Sequence, residues 1–166
     1  MMRIRAAQAA DLPALTEIHN HYVLHSQASF DTEPQTPEQR RSWFDGYAET
    51  GPYRLLVAEA GDKLLGAAWS SRYRPHPAFE RTIETSIYLA PDARRQGIGS
   101  ALYTQLFADL AAEPLHLAVA GIALPNEASI RLHRRFGFTE VGIFKDYALK
   151  HGQYISSIWM QKPLNG

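Results

Sequence analysis

Hydrophobic residues recur at every fourth position from Ile98 to Leu110, and this spacing predicts a helix with one apolar face. The preceding segment Thr82–Leu89 is rich in β-branched residues and alternates in character, which indicates a strand. The sequence Arg-Arg-Gln-Gly-Ile-Gly stands between the two, at residues 94–99. The chain therefore places a glycine turn between a strand and the start of a helix.

The same patterns predict the order β-α-α-β-β-β-α-β-α-β-β for the whole chain. The predicted strands cover residues 3–6, 53–60, 63–71, 82–89, 115–122, 138–149 and 154–161. The predicted helices begin after an N-cap at Asp11, at Pro37, at the glycine turn and after an N-cap at Asn126, and the second stops near Gly51. This order predicts one α+β, or mixed α/β, domain over residues 1–166, with helices flanking a single sheet.

The glycine turn has the features of an anion-binding site. Gly97 and Gly99 let backbone N–H groups converge, and the helix start adds unpaired donors and partial positive charge. Arg94 and Arg95 add two formal positive charges. The turn lacks the Lys-Ser/Thr of a P-loop, and Leu102 stands where a dinucleotide fingerprint needs a third glycine. The turn is thus either a phosphate or pyrophosphate cradle or a plain tight connection.

Composition narrows the choice of partners. Lys plus Arg equals Asp plus Glu at 17 each, so no basic excess points to nucleic acid or an anionic membrane. The chain has no cysteine and no apolar run of bilayer length, and we expect a cytoplasmic protein. His21 and His25 have the spacing of a helical ligand pair, but no third ligand follows at a suitable spacing, so we expect no metal.

The turn Arg94-x-x-Gly97-x-Gly99 resembles the pyrophosphate loop of GNAT-family acetyltransferases, which bind acetyl-CoA. Residues 126–138, which end in Gly-Phe, resemble the second GNAT signature. Further stretches resemble phosphinothricin N-acetyltransferases, at residues 20–22, 30–37, 82–84, 100–104 and 150–153. Those enzymes acetylate the α-amine of a glutamate-like amino acid, and close relatives take methionine sulfoximine or methionine sulfone.

The resemblance extends over residues 3–161 and implies the GNAT fold, a mostly antiparallel twisted sheet flanked by helices. It also implies acetyl-CoA as co-substrate, a small-molecule amine as acceptor and a homodimer. The implied cofactor-binding residues are Ile87, Tyr88, Leu89, Arg94, Arg95, Gln96, Gly97, Ile98, Gly99, Ser100 and Asn126. The chain departs from the family pattern at residues 72–81 and lacks a Trp-x-Asp in its closing strand. The sequence therefore constrains the identity of the acceptor less than it constrains the reaction.

Acetyl transfer to an amine needs a general base, because free amines are mostly protonated near pH 7. Strand alternation puts Glu84, Ser86 and Tyr88 on one face, and a carboxylate on an otherwise apolar strand is costly to bury without a task. Glu84 is our candidate base, as the resemblance implies. The alternatives are an ion pair with Arg81 or Arg74, or exposure at a sheet edge.

His133 is the candidate acid that protonates the departing thiolate, since histidine titrates near neutral pH and the resembling acetyltransferases carry it at this point. Tyr88 and Tyr147 are alternative acids. Backbone N–H groups at residues 87–89 would stabilise the oxyanion, as the resemblance implies.

An acceptor with a carboxylate or other acidic group needs a cation. Arg72 and Arg74 are candidates, with Arg74 at the family's basic position, and Phe30 and Tyr88 would form apolar walls. We predict direct acetyl transfer to a small amino acid or analogue. The alternatives are transfer to a polyamine, an aminoglycoside or a protein N-terminus, or a non-catalytic acyl-CoA-binding module.

Overall fold

A computed structural model describes residues 1–93 and 97–165. The strands are β1 (Met2–Ala6), β2 (Leu55–Ala60), β3 (Lys63–Arg72), β4 (Thr82–Leu89), β5 (Leu117–Ala123), β6 (Thr139–Lys150) and β7 (Gln153–Pro163). The helices are α1 (Leu12–His25), α2 (Pro37–Phe44), α3 (Ile98–Leu110) and α4 (Glu127–Arg135), with short 3-10 turns at Ala9–Asp11 and Pro77–Phe79. The observed order of strands and helices is the predicted one.

The strands form one seven-stranded sheet in the order β1-β2-β3-β4-β5-β7-β6. Neighbouring strands run antiparallel, except that β4 and β5 run parallel. A mostly antiparallel sheet flanked by helices is the predicted fold class, and the prediction is confirmed.

Helices cover both faces of the sheet. Leu56 and Ala58 of β2 belong to the large core cluster that contains α3, whereas Leu55 and Val57 belong to a second cluster beneath α1 and α2. The apolar face predicted for α3 packs in that core. Its four spaced positions, Ile98, Leu102, Leu106 and Leu110, are at most 2% exposed. Burial of such side chains provides most of the stabilisation of an amphipathic helix.

Two local predictions differ in detail from the structure. Asp11 is the N-cap residue of α1, as predicted, but its carboxylate makes no capping hydrogen bond to that helix. The carboxylate accepts instead from the backbone N–H of Gln8 at 2.7 Å and from both terminal nitrogens of Arg5 at 2.7 and 2.8 Å. Helix α2 ends at Phe44 rather than near Gly51. The apolar residues beyond Phe44 lie in a turn instead of a helix, and Tyr47 in this turn packs edge-on against Trp43.

The register between β3 and β4 sets the faces of β4. Glu84 lies opposite Ser71, Ser86 opposite Trp69, and Tyr88 opposite Ala67 of the α1–α2 cluster. Because side chains alternate along a strand, Glu84, Ser86 and Tyr88 share the face beneath α1 and α2. Among the residues that the structure describes, no helix is long and apolar enough to cross a bilayer.

Candidate active site

The parallel pairing of β4 with β5 stops early and leaves a cleft between the strands. Paired positions run from Thr82–Leu117 to Glu84–Val119, although both strands continue beyond them. Two adjoining cavities of about 290 and 60 Å³ lie beside the unpaired part of β4, and we call them together the β4–β5 cleft. The predicted cofactor residues among those lining it are Ile87, Tyr88, Leu89, Gly99 and Asn126.

Backbone groups of alternate β4 residues face this cleft. The N–H of Ala90 donates to Leu65 O at 2.8 Å, toward β3. Because backbone groups alternate in direction along an antiparallel strand, we infer that even-numbered residues of β4 face β3 and that Ile87 and Leu89 face the cleft. Tyr22 Oη donates to Leu89 O at 2.6 Å, which fits this assignment. Tyr88 therefore contributes its side chain to the cleft rather than its N–H.

The start of α3 lies at one end of the cleft. Gly97 has a φ of 85°, a left-handed conformation that favours glycine. A β carbon on Gly99 would lie 3.1 Å from a methyl of Leu132 and 3.6 Å from one of Ile87, so glycine allows α3 to approach α4 and β4 closely. Ile98 is buried at the helix start. The predicted residues Arg94, Arg95 and Gln96 lie outside the described residues.

Arg135 is a cation near the start of α3 that was not identified from the sequence. Arg135 Nη2 donates to Ser100 Oγ at 3.4 Å, which brings a guanidinium from the end of α4 to the first turn of α3. The contact is exposed. The two residues are far apart in sequence, and no spacing rule links them.

Glu84 has the electrostatics of a base. It is half-buried, and desolvation raises the pKa of its carboxyl, while the positive charge of Arg74 lowers it. The alternative of an ion pair with Arg81 or Arg74 is not observed, since no ion pair within 4 Å involves Glu84 among the described residues. Arg74 acts on Glu84 as a longer-range charge. A carboxylate that is partly desolvated and not neutralised by an adjacent cation can accept a proton.

His133 is 2% exposed and lines the smaller cavity of the cleft. Its Nδ1 lies 2.7 Å from Ser129 O, which can only accept, so we assign the ring proton to Nδ1. Burial lowers the pKa of His133, so the ring is neutral near pH 7 and Nε2 accepts from Tyr103 Oη at 2.8 Å. Tyr103, which the sequence analysis did not single out, has a single hydroxyl proton, and this proton is shared between His133 Nε2 and Thr85 Oγ1, which lies 3.3 Å away.

The predicted acceptor residues separate into two groups. Arg74 remains within electrostatic range of Glu84. Arg72 lies opposite Ile83, which puts it on the other face of the sheet from Glu84, and we do not retain it as an acceptor ligand. Phe30 is 45% exposed and packs edge-on against Tyr147 of β6. Its role as an apolar wall for the acceptor stays a prediction.

A buried lysine holds the loop that bounds the cleft. Lys150 is 4% exposed, and its Nζ donates to the carbonyls of Ser29 at 2.6 Å, Ser26 at 2.7 Å and Tyr22 at 3.4 Å. Ala28, between these contacts, lines the cleft and an adjoining cavity of about 500 Å³. The hydroxyl of Tyr88 donates to Ala28 O at 2.9 Å, and burial raises the pKa of Tyr88 to about 12.

A third cavity, of about 110 Å³, lies on the Glu84 face beneath α1 and α2, and we call it the α1–α2 cavity. Trp69 and Tyr88 stack at 5.5 Å between ring centroids and form one wall. Ser86, from the same face of β4, also lines it. The cavity and the cleft share Tyr22, Ser86 and Tyr88, so they are neighbours across β4.

Residues 15–138 match the model of the acetyltransferase (GNAT) family. This match covers more than half of the chain, and the chain therefore belongs to the GNAT family. The predicted family and the predicted class of enzyme, an acetyltransferase, are confirmed.

Individual relatives match almost the whole chain. A phosphinothricin N-acetyltransferase of Streptomyces coelicolor is 50% identical over 165 residues, which cover 98% of this chain and 96% of that protein. An L-methionine sulfoximine/L-methionine sulfone acetyltransferase of Pseudomonas paraeruginosa is 36% identical, covering 98% and 94%. The structure of a phosphinothricin acetyltransferase from Sinorhizobium meliloti in complex with acetyl-CoA superposes with a TM-score of 0.92 at 33% identity, covering 99% and 89%.

Replacing Lys150 with Met is expected to lower the free energy of unfolding by about 2 kcal/mol, because buried carbonyls lose a charged donor. Urea titration of both proteins measures the difference. Lys145→Met, at an exposed position on the same strand, is the matched control and should change little. Equal stability of the two variants would contradict the role assigned to Lys150.

Proposed function

We propose that this enzyme transfers an acetyl group from acetyl-CoA to the α-amine of a small amino acid or analogue of the phosphinothricin or methionine sulfone type. The observation that carries the proposal is the half-buried carboxylate of Glu84 on the strand whose free backbone groups face the β4–β5 cleft. The names of the relatives support the acceptor class.

The described residues fit acetyl-CoA. The N–H groups of Ile87 and Leu89 face the cleft and suit the amides of an extended pantetheine arm or a developing oxyanion. The first turn of α3, with Gly99 and Ser100, suits the diphosphate, and Arg135 adds a cation there. Acetyl-CoA supplies the acetyl group in activated form, as a thioester.

Glu84 would accept the proton that the ammonium of the acceptor must lose before it attacks. Desolvation makes the carboxylate a stronger base than an exposed glutamate, because it raises the pKa of the group. Arg74, close enough to lower that pKa, is suited to hold the α-carboxylate of the acceptor beside its amine.

His133 would supply the proton that the leaving thiolate needs, and Tyr103, through its contact with Nε2, would position the ring. Tyr103 Oη donates to His133 Nε2, while His133 Nδ1–H is held by Ser129 O. The predicted role of His133 as acid requires the ring to carry a second proton, because the neutral ring has a single proton and that proton lies on Nδ1. Protonation of the thiolate would return the ring to its neutral form.

Thiol release from acetyl-CoA in the presence of phosphinothricin or methionine sulfone tests the proposed function. Glu84→Gln is expected to lower kcat/KM by about 10²-fold or more, since the amide cannot accept the proton. The rate of the unsubstituted enzyme should fall as the pH drops through the raised pKa of Glu84, below which the carboxyl is protonated.

Glu80→Gln, in the exposed segment before β4, is the matched control and should keep full activity. Calorimetric titration with CoA separates binding from chemistry, and Glu84→Gln should bind CoA as tightly as the unsubstituted enzyme. An unchanged rate in Glu84→Gln across neutral and alkaline pH would rule out its role as base.

His133→Ala and Tyr103→Phe are each expected to lower kcat by about 10²-fold. The double variant should lose little more, because residues that act as a unit are not additive. Tyr103→Phe retains the ring that packs in the core, and His116→Ala, at an exposed position, is the control for loss of a histidine. Full kcat in His133→Ala, or losses that multiply in the double variant, would contradict the proposal.

We also propose that two copies of the chain associate through β6, the strand at the edge of the sheet. Large apolar side chains are exposed on β6 and its hairpin partner: Val141, Ile143, Phe144, Leu149 and Tyr154 are 54–66% exposed. An edge strand with several large apolar side chains exposed is typical of an interface. This proposal assigns an interface to the homodimer that the family resemblance implies.

Light scattering after size-exclusion chromatography should give twice the mass of the 18.6 kDa chain. Phe144→Lys is expected to shift the protein to the monomer, because it places a charge in the apolar surface. Glu17→Lys, exposed on α1, is the charge-adding control and should remain dimeric. A monomeric unsubstituted protein at micromolar concentration would contradict the proposal.

A further inference from the structure

Arg40 of α2 is a buried cation without a counter-ion. Its residue exposure is 8%, and among the described residues its side chain forms no hydrogen bond or ion pair. Its guanidinium carbon lies 3.9 Å from the ring centroid of Trp43, a contact that leaves the N–H groups unused. The guanidinium stays charged, and a buried charge without a partner is strongly unfavourable.

A second unsatisfied polar atom lies in the same place. His19 and Arg40 both line the α1–α2 cavity, and both His19 Nε2 and Arg40 Nε are buried without a hydrogen-bond partner. His19 Nε2 is 3.4 Å from Asp31 Oδ2, but the geometry is not that of a hydrogen bond, and the Asp31 side chain is 63% exposed. Among the described residues, the cavity thus holds two buried nitrogens that lack a hydrogen bond, and the charge of the exposed Asp31 acts on both side chains.

Glu84 is not the missing partner of Arg40, although both lie on the same face of the sheet. The charges of both groups act on the hydroxyls of Tyr47 and Tyr88. The carboxylate that acts on the pKa of Arg40 is that of Asp31, and the cation that acts on the pKa of Glu84 is Arg74. Ser86, which lines the cavity, is two residues along β4 from Glu84, or about 7 Å. This separation is comparable with the length of a glutamate-like side chain.

We propose that Arg40 and His19 bind the acidic end group of the acceptor's side chain, a phosphinate or carboxylate, while its amine lies at Glu84. This inference rests on the proposed function and names the substrate class of that site. The cavity, of about 110 Å³, admits a compact end group rather than a whole amino acid. The planar guanidinium offers a fork of donors that matches two oxygens of such a group.

The test compares phosphinothricin, whose end group is an anion, with methionine sulfone, whose end group is neutral. Arg40→Met is expected to raise KM and the calorimetric Kd for phosphinothricin by about 30-fold or more. The change for methionine sulfone should be several-fold smaller, since a neutral acceptor group loses a weaker hydrogen bond. The affinity for CoA should stay unchanged.

Two further variants control for a structural role. Arg41→Met, at the exposed neighbouring position, should leave KM, Kd and melting temperature unchanged. Arg40→Lys keeps the charge but loses the fork, and it should bind phosphinothricin with intermediate affinity. Without acceptor, Arg40→Met should melt no lower than the unsubstituted protein, because it removes a buried charge that has no partner.

An equal loss for both acceptors would overturn the assignment and favour the α-carboxylate as the ligand of Arg40. A lower melting temperature with unchanged Kd would overturn it in favour of a structural role. Calorimetric binding keeps the test independent of turnover: absence of thiol release by the unsubstituted enzyme counts against the proposed function, whereas tight phosphinothricin binding by Arg40→Met counts against this inference.

Discussion

The early end of the β4–β5 ladder is the constraint from which the site follows. Buried backbone N–H and C=O groups need partners, and a strand inside a sheet normally finds them on both sides. Beyond Glu84, β4 keeps β3 on one side and has lost β5 on the other. Tyr22 satisfies one of the freed carbonyls, that of Leu89. The remaining groups are available to an extended, amide-bearing ligand, which in the proposed function is the pantetheine arm of acetyl-CoA.

Local signals in the sequence sufficed for much of the fold. The stripe of α3, the alternation of β4 and the Asn126 cap, whose Oδ1 accepts from Ser129 N–H at 3.2 Å, each depend on residues a few positions apart. The partners within the site do not. Tyr103 meets His133 from 30 residues away, and no periodicity encodes that contact. For the same reason the sequence did not show that Arg72 and Glu84 lie on opposite faces, since this depends on register.

Lys150 and Arg40 are both buried cations, but they differ in the groups that surround the buried charge. Lys150 is surrounded by carbonyl oxygens, which replace the water it loses and tie a loop to the end of β6. Arg40 has an aromatic ring on one face, and none of the residues that the structure describes accepts a hydrogen bond from its side chain. A polar group that the fold leaves unsatisfied lowers stability, and proteins tolerate such groups mainly at functional sites.

The base strength of Glu84 depends on a balance that the acceptor itself would alter. Burial raises the pKa of the carboxyl and the charge of Arg74 lowers it, and Arg74 lies in an exposed loop with its guanidinium 4.3 Å from the ring centroid of Tyr73. An acceptor whose carboxylate engages Arg74 would neutralise the charge that weakens the base, and would also displace water from Glu84. Both effects would raise the proton affinity of Glu84, so in the proposed function recognition and activation of the acceptor are coupled through one electrostatic contact.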